Sequence, residues 1–240
     1  MLSRPRFTED AFSLDARMLR EILEHAKPLG HHEDARTLNL GFGFLYYGLA
    51  RALRPRHTVV IGSGFGFSVV CLALGLRDND RGLLSFVDPS YSVLRHGPLQ
   101  TVGGTSQWDD PQRVRSHFAR FGVENHVRHY KMTSGEFFRS YGSHALGEID
   151  LAFIDGNHSY ADVRHDFLAV LRRARAGSTY ILLHDTNIYV RELLRHSGVK
   201  RWLKVIERHR DAFELVDFPF SSGVAVVRVL CGPDWQPAAE

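Results

Sequence analysis

The chain has 240 residues, 44% of them hydrophobic and 24% charged, the balance of a globular protein with material for one large domain or two small ones. Its formal charge of +3 is a small basic surplus gathered in short clusters, such as Arg51 to Arg56 and Arg172-Arg173-Ala174-Arg175. These read as helix faces and helix C-termini, where cations complement the dipole, so no nucleic-acid partner is expected. Two cysteines, Cys71 and Cys231, offer neither a disulfide framework nor a zinc-ligand set. With no apolar leader and no run of ~18 apolar residues, the expectation is a cytoplasmic protein without a membrane span.

Ser13 to Ala26 carries Leu14, Met18, Ile22 and Leu23 at helical spacing. A polar stretch through His31-His32-Glu33-Asp34 follows; the two histidines read as solvated rather than metal-bound, and with Asn39 to Gly43 they could also form part of a lid. Phe44 to Leu53 predicts a second helix, stopped by Arg54-Pro55. His57-Thr58-Val59-Val60-Ile61 is a β-branched run ending at Gly62, the pattern of a buried parallel strand before a tight turn. Ser68 to Leu76 continues as an apolar helix. Gly82 to Val87 predicts a strand stopped by Asp88-Pro89. A long loop, Ser90 to Asp109, then leads to a helix opened by Asp110-Pro111, with Val114, Phe118 and Phe121 on one face. His126 to Met132 is a more polar strand, nearer a sheet edge, and Ile149 to Ile154 is an apolar one ending at Asp155. Ser159-Tyr160-Ala161-Asp162 opens a helix running to Arg175. The strand Thr179 to Leu183 ends at His184-Asp185. Helical stretches at Val190–Leu194 and Val199–Arg208 precede a terminal hairpin, Ala212–Phe218 and Val224–Leu230, which should add one antiparallel strand at the sheet edge.

Strands alternating with helices imply right-handed crossovers and parallel pairing. The expected fold is therefore α/β: a doubly wound, Rossmann-like, mostly parallel seven-stranded sheet with a C-terminal antiparallel hairpin and an N-terminal helical extension. We divide the chain into an extension or lid (1–56), the main domain (57–232) and a tail (233–240).

Ligands of such sheets bind outside the carboxyl ends of the strands, and the unusual residues of this chain fall there. Gly62-Ser63-Gly64-Phe65-Gly66 lets the backbone turn sharply and lets a ligand approach the main chain, ahead of a helix N-terminus suited to an anionic or carboxylate group. Asp88 follows about twenty residues later, placed to accept hydrogen bonds from ribose hydroxyls. A dinucleotide fingerprint would need glycine at 67, where Phe67 stands, so the pattern favours S-adenosylmethionine over NAD.

With these residues in view, the sequence resembles the class I S-adenosylmethionine-dependent methyltransferases from about Thr58 to Leu230. The stretch Ile149–Asp185 is similar to the small-molecule O-methyltransferase subgroup of the methyltransferase family 24 type. The resemblance implies that Gly62, Ser63, Gly64, Phe65 and Gly66 hold the methionine part and sugar of the cofactor and that Asp88 binds the ribose. It implies that Thr133 or Ser134 meets adenine and that Asp155, His158 and Asp185 face the transferred methyl. Two positions depart from the family habit. Val60 stands where an acidic residue often precedes the loop, and Thr186 stands where metal-dependent relatives place Asp or Asn.

His158 is the candidate base, since an imidazole of ordinary pKa ~6.5 accepts a proton near neutral pH. Alternatively, Asp155 and Asp185 hold a divalent cation such as Mg²⁺, which would acidify a bound hydroxyl. His184 reads as structural. Trp108, in the long loop with Gly103-Gly104, either covers the ligand or anchors the loop to the core. The expected partner is a small-molecule substrate, and a homo-oligomer is open. Three rival readings remain: an NAD-dependent oxidoreductase, a non-catalytic cofactor-binding protein, and a methyltransferase acting on RNA or protein.

Overall fold

A computed structural model describes residues 12–90, 94–96, 99–101, 106–187 and 198–237. Helix α1 (Ala16–Glu21) is capped by the Asp15 carboxylate and runs on as a π-helical turn, Ile22–Ala26, before Lys27 leaves it with a left-handed backbone. After an irregular stretch come α2 (Phe42–Leu53), β1 (His57–Ile61), α3 (Phe67–Asp78) and β2 (Leu83–Val87). Two short strands, β3 (Leu94–His96) and β4 (Leu99–Thr101), pair antiparallel inside the segment expected to be a long loop. Then follow α4 (Pro111–Arg120), β5 (Val127–Tyr130), α5 (Ser134–Arg139), β6 (Leu151–Ile154), α6 (Tyr160–Leu171) and β7 (Tyr180–His184). The described chain ends with α7 (Gly198–Arg208), β8 (Phe213–Phe218) and β9 (Val224–Val229). The helix expected at Val190–Leu194 and the pair Gly103-Gly104 lie outside the described residues.

The main sheet has seven strands in the order β5-β2-β1-β6-β7-β9-β8. The first five are mutually parallel, so their carboxyl ends share one edge. The hairpin differs in detail from the expectation. Its second strand, β9, inserts antiparallel against β7 and carries β8 outside it, so the hairpin contributes two strands to the sheet. The more polar β5 lies at the opposite edge.

Both faces of the sheet are covered, which is why β1 and β6 are apolar without alternation. Val59, Ile61 and Ile154 face one core with Phe137, Phe167 and Trp202. Val60 and Phe153 face the other with Tyr46, Val70, Phe86 and Phe118. Small residues let α2 and α3 approach closely: a Cβ at Gly43 or Gly75 would press on Phe67 or Ala50, respectively. In this way the extension packs directly on the second core. Among the described residues no helix is long and apolar enough to cross a membrane.

Candidate active site

The site begins at the end of β1. Gly62, Gly64 and Gly66 all have positive φ (69°, 42° and 89°), a region that costs a residue with a Cβ about 1–2 kcal/mol. Gly62 is also confined in space, because a Cβ there would collide with the Asp155 carbonyl. The glycine loop therefore lies directly against the end of β6. Hydrogen bonds from Gly62 N–H to the Val87 carbonyl (2.9 Å) and from Asp155 N–H to the Ile61 carbonyl (2.9 Å) tie the ends of β1, β2 and β6 together. Inside the loop the Ser63 and Ser68 hydroxyls are 2.6 Å apart.

Asp88 follows β2 and is buried. One carboxylate oxygen accepts from the Ser90 N–H at 2.7 Å. Burial raises its pKa, against opposing hydrogen bonds from the backbone N–H groups of Ser90 and Ser63. Asp88, the ribose candidate, thus stands beside Ser63 of the glycine loop. Trp108 takes the anchoring alternative: it is 1% exposed, donates from Nε1 to the Gly64 carbonyl at 3.0 Å and stacks on Phe118. Thr133 caps α5 in a reciprocal capping box with Glu136, and Ser134 opens that helix. Phe65 lies under the Lys27 ammonium, 5.4 Å from its ring centre.

A cluster of two carboxylates and two imidazoles forms where β6 and β7 end. His158 Nε2 lies 3.4 Å from Asp155 Oδ1 and 3.2 Å from Asp185 Oδ2. His184 Nδ1 lies 3.1 Å from Asp155 Oδ1 and 3.3 Å from Asp185 Oδ1. Two carboxylates and two imidazoles alternate around a ring of contacts. Asp185 has φ of 63°, an uncommon conformation for a residue with a side chain and one that recurs where function fixes a backbone. The turn after β7 is held by Thr186, which donates to Asp217 at 2.9 Å, and by Asn187, which donates to the Pro219 carbonyl at 2.7 Å. Both side chains are thereby committed to the hairpin rather than to the cluster. His158 is fixed from behind, where Gly198 N–H donates to its carbonyl at 3.0 Å.

Electrostatics sort the cluster. Burial opposes a charge on His184, but Asp155, and then Asp185, outweigh it and bring its pKa up to about 9. Asp185 is pushed up to about 7 by desolvation and by the Asp155 charge, against the pull of His184. His31 stacks on His184 and is pressed down to about 3, first by burial and then by the His184 charge.

Sequence reasoning brought Asp155, His158 and Asp185 to one place and the structure gathers all three. It passed over three neighbours. His31 was expected in solvent and is 5% exposed. Tyr46 carried only a helical-core signal, and its hydroxyl lies 3.0 Å from His31 Nδ1. His184 read as structural. Its place at a strand end beside Asp185 was the one available signal, while for His31 and Tyr46 the local sequence holds none.

Among solved structures, the chain is similar to cofactor-bound Rv0187 from MTB (TM-score 0.62, 20% identity, 90% of each chain covered). It is similar to the O-methyltransferase TomG from Streptomyces achromogenes, a protein of tomaymycin synthesis solved with SAM (TM-score 0.61, 16% identity, 94% of this chain and 92% of that one). It is likewise similar to an O-methyltransferase from Bacillus cereus solved with SAH (TM-score 0.62, 16% identity, 90% and 91%). At these identities the likeness is one of fold. A curated relative, the Uncharacterized protein y4gI of Sinorhizobium fredii, is 26% identical over 198 residues, and the chain spans a fifth of that protein's length, with 82% of its own. The family described as "Methyltransferase domain" matches residues 59–186, just over half of the chain, from within β1 to the turn after β7. The chain belongs to this methyltransferase family, methyltransferase family 24.

Proposed function

We propose that the protein binds S-adenosylmethionine against the glycine loop and passes its methyl group to a hydroxyl of a small molecule. The observation that carries this reading is the ring of Asp155, His158, Asp185 and His184 contacts packed directly against a glycine loop with Asp88 at its side. Relatives of the same fold solved with SAM and SAH support it. Gly62, Ser63, Gly64, Phe65 and Gly66 would hold the methionine part and sugar, Asp88 the ribose hydroxyls, and Thr133 and Ser134 the adenine.

S-adenosylmethionine supplies an electrophilic methyl on a sulfonium. The chain's own task is to align a hydroxyl with it and accept the proton, and alignment alone removes a large part of the barrier. His158 Nε2 is the proton acceptor in this reading. As the imidazole gains a proton, Asp185 Oδ2 and Asp155 Oδ1, both within 3.4 Å, stabilise the charge. General-base catalysis of this kind is worth about 10²–10⁴-fold.

A second reading rests on one specific observation. One donor atom from each of Asp155, His158 and Asp185 falls within 4.8 Å of the others. Two carboxylates and an imidazole suit a divalent cation, and His158 would replace the ligand that Thr186 cannot supply. Such an ion would acidify a coordinated hydroxyl, with His158 then a ligand rather than a base.

Calorimetric titration with S-adenosylhomocysteine, with NAD as control and with and without Mg²⁺, tests the cofactor reading. Micromolar binding of S-adenosylhomocysteine alone is expected, and binding of NAD instead would overturn it. His158→Ala should keep that affinity while losing about 10²–10⁴-fold in methyl transfer to a hydroxyl acceptor. Full turnover in this variant would remove the base. Loss of activity in chelator, restored by Mg²⁺, would favour the cation.

A further inference from the structure

The His184 ring is clamped between two others. On one face His31 stacks at 4.3 Å between centroids with planes 21° apart; on the other, Phe153 of β6 lies at 6.1 Å and 30°. Its Nδ1 reaches both carboxylates. Its Nε2 is buried without a hydrogen bond, although the Gly30 carbonyl helps to favour the charged form. The orientation of this donor therefore depends on what presses on the ring faces, and the outer face belongs to the N-terminal extension.

His31 is itself held at several points. Its Nδ1 meets the Tyr46 hydroxyl at 3.0 Å, and Tyr46 packs on Phe153 at 4.9 Å. Its ring lies 4.7 Å from that of Phe67, at the start of α3. Its carbonyl accepts from Phe42 N–H at 2.7 Å, at the start of α2, and its own N–H donates to Glu33 Oε2 at 2.8 Å. Gly41 makes the approach feasible: its φ is 53°, and a Cβ there would collide with the His31 and His32 carbonyls. The preceding carbonyl, of Gly30, accepts from Ser221 Oγ and Ser222 N–H at 3.1 and 3.3 Å, which fastens the segment to the terminal hairpin. A residue far from both aspartates in sequence is thus fixed by α2, α3 and the hairpin against the group that bridges them.

We infer that His31 is a positioning residue of the active site, which through the face of the His184 ring keeps the His184 N–H aimed between Asp155 and Asp185. A donor shared between two carboxylates fixes their spacing only while its ring is held. The extension thereby completes the site instead of merely covering it. The inference rests on the methyl-transfer reading for its catalytic meaning, though its structural content can be read without turnover.

The full-length protein, labelled with ¹⁵N-histidine, gives that readout by NMR in the presence of S-adenosylhomocysteine. The Nδ1–H signal of His184, assigned by its disappearance in His184→Gln, should be slow to exchange with water. His31→Ala should speed its exchange at least tenfold and leave S-adenosylhomocysteine affinity within about threefold. His31→Phe, which keeps a ring on the His184 face, should restore most of the protection. Tyr46→Phe leaves no cavity, guards against loss of folding in the alanine variant, and should accelerate exchange two- to fivefold. An unmoved His184 signal in His31→Ala and Tyr46→Phe would overturn the inference, even with a lowered melting temperature. Wild-type protein that fails to bind S-adenosylhomocysteine, yet whose His184 signal still answers to His31, would sink the methyl-transfer reading alone.

Discussion

Asp166 presents the clearest imbalance between charge and surroundings. It lies in α6 with 3% of its surface exposed, and its Oδ1 has no hydrogen-bond partner. Burial raises its pKa to about 7, and the Ser134 hydroxyl only partly offsets this. Because the folded pKa lies above the unfolded value of 3.8, the native state holds this proton the more tightly. The resulting stability is fully present below about pH 4 and is lost as pH rises through about 7. Asp166→Asn cannot ionise and should gain on the wild type across that window, by on the order of 1–3 kcal/mol. Urea unfolding of both proteins at pH 5 and pH 8 measures the gap, and a gap that stays constant would show that Asp166 is already ionised at pH 5. The arginines argue differently. Arg173 donates to the Ala169 and Phe138 carbonyls at 2.9 and 2.7 Å, and Arg175 pairs with Asp150 at 3.0 Å. These cations satisfy a helix end and a neighbouring turn, as their clustering in the sequence suggested.

At the scale of elements, caps and glycines set where the chain turns. In α5, Thr133 Oγ1 accepts from Glu136 N–H at 3.2 Å, and the Glu136 carboxylate accepts from Thr133 N–H at 2.8 Å. Thr133→Ala removes the first of these and should cost about 1 kcal/mol, which for a chain of this size lowers the melting temperature by roughly 2–4 °C. Scanning calorimetry checks the stability. S-adenosylhomocysteine titration of the same variant separates capping from any adenine contact, since a pure cap leaves affinity unchanged. Gly223 works at longer range. A Cβ there would clash with Thr186 and Asn187, so the hairpin meets the turn after β7 only because this residue is glycine. That contact holds Thr186 and Asn187 away from the cluster and leaves His158 as the third donor beside the aspartates.

Over the whole molecule, the sheet separates two cores, and the glycine loop, Asp88, Asp155 and Asp185 follow the ends of its parallel strands. β1 and β6 lie at the centre of the sheet order and are buried on both faces. β5 and β8 lie at its two margins, with several residues only half-buried or exposed. Local opening is cheapest where few apolar contacts are lost. Amides of β1 and β6 should therefore exchange with deuterium only on global unfolding, and those of β5 and β8 earlier. Exchange followed by mass spectrometry on peptic fragments tests this, and uniform protection across the sheet would contradict it.

The sequence by itself determined the order of elements, the parallel core and the edge that bears the site. Each of those is local: apolar runs stopped at Gly62, Asp88, Asp155 and His184-Asp185 mark strand ends wherever the strands go. The family resemblance, not spacing alone, singled out Asp155, His158 and Asp185, and the structure brings the three side chains together. What only the tertiary structure decided is which distant groups close around that set. His31 and Tyr46 join it through burial against Phe67 and Phe153, and no local pattern distinguishes a histidine that packing will cover from one that stays in water. The role of Trp108 and the insertion of β9 beside β7 were settled in the same way, by which apolar surfaces met. Periodicity encodes the face a residue turns inward; the partner it finds there depends on the remainder of the chain.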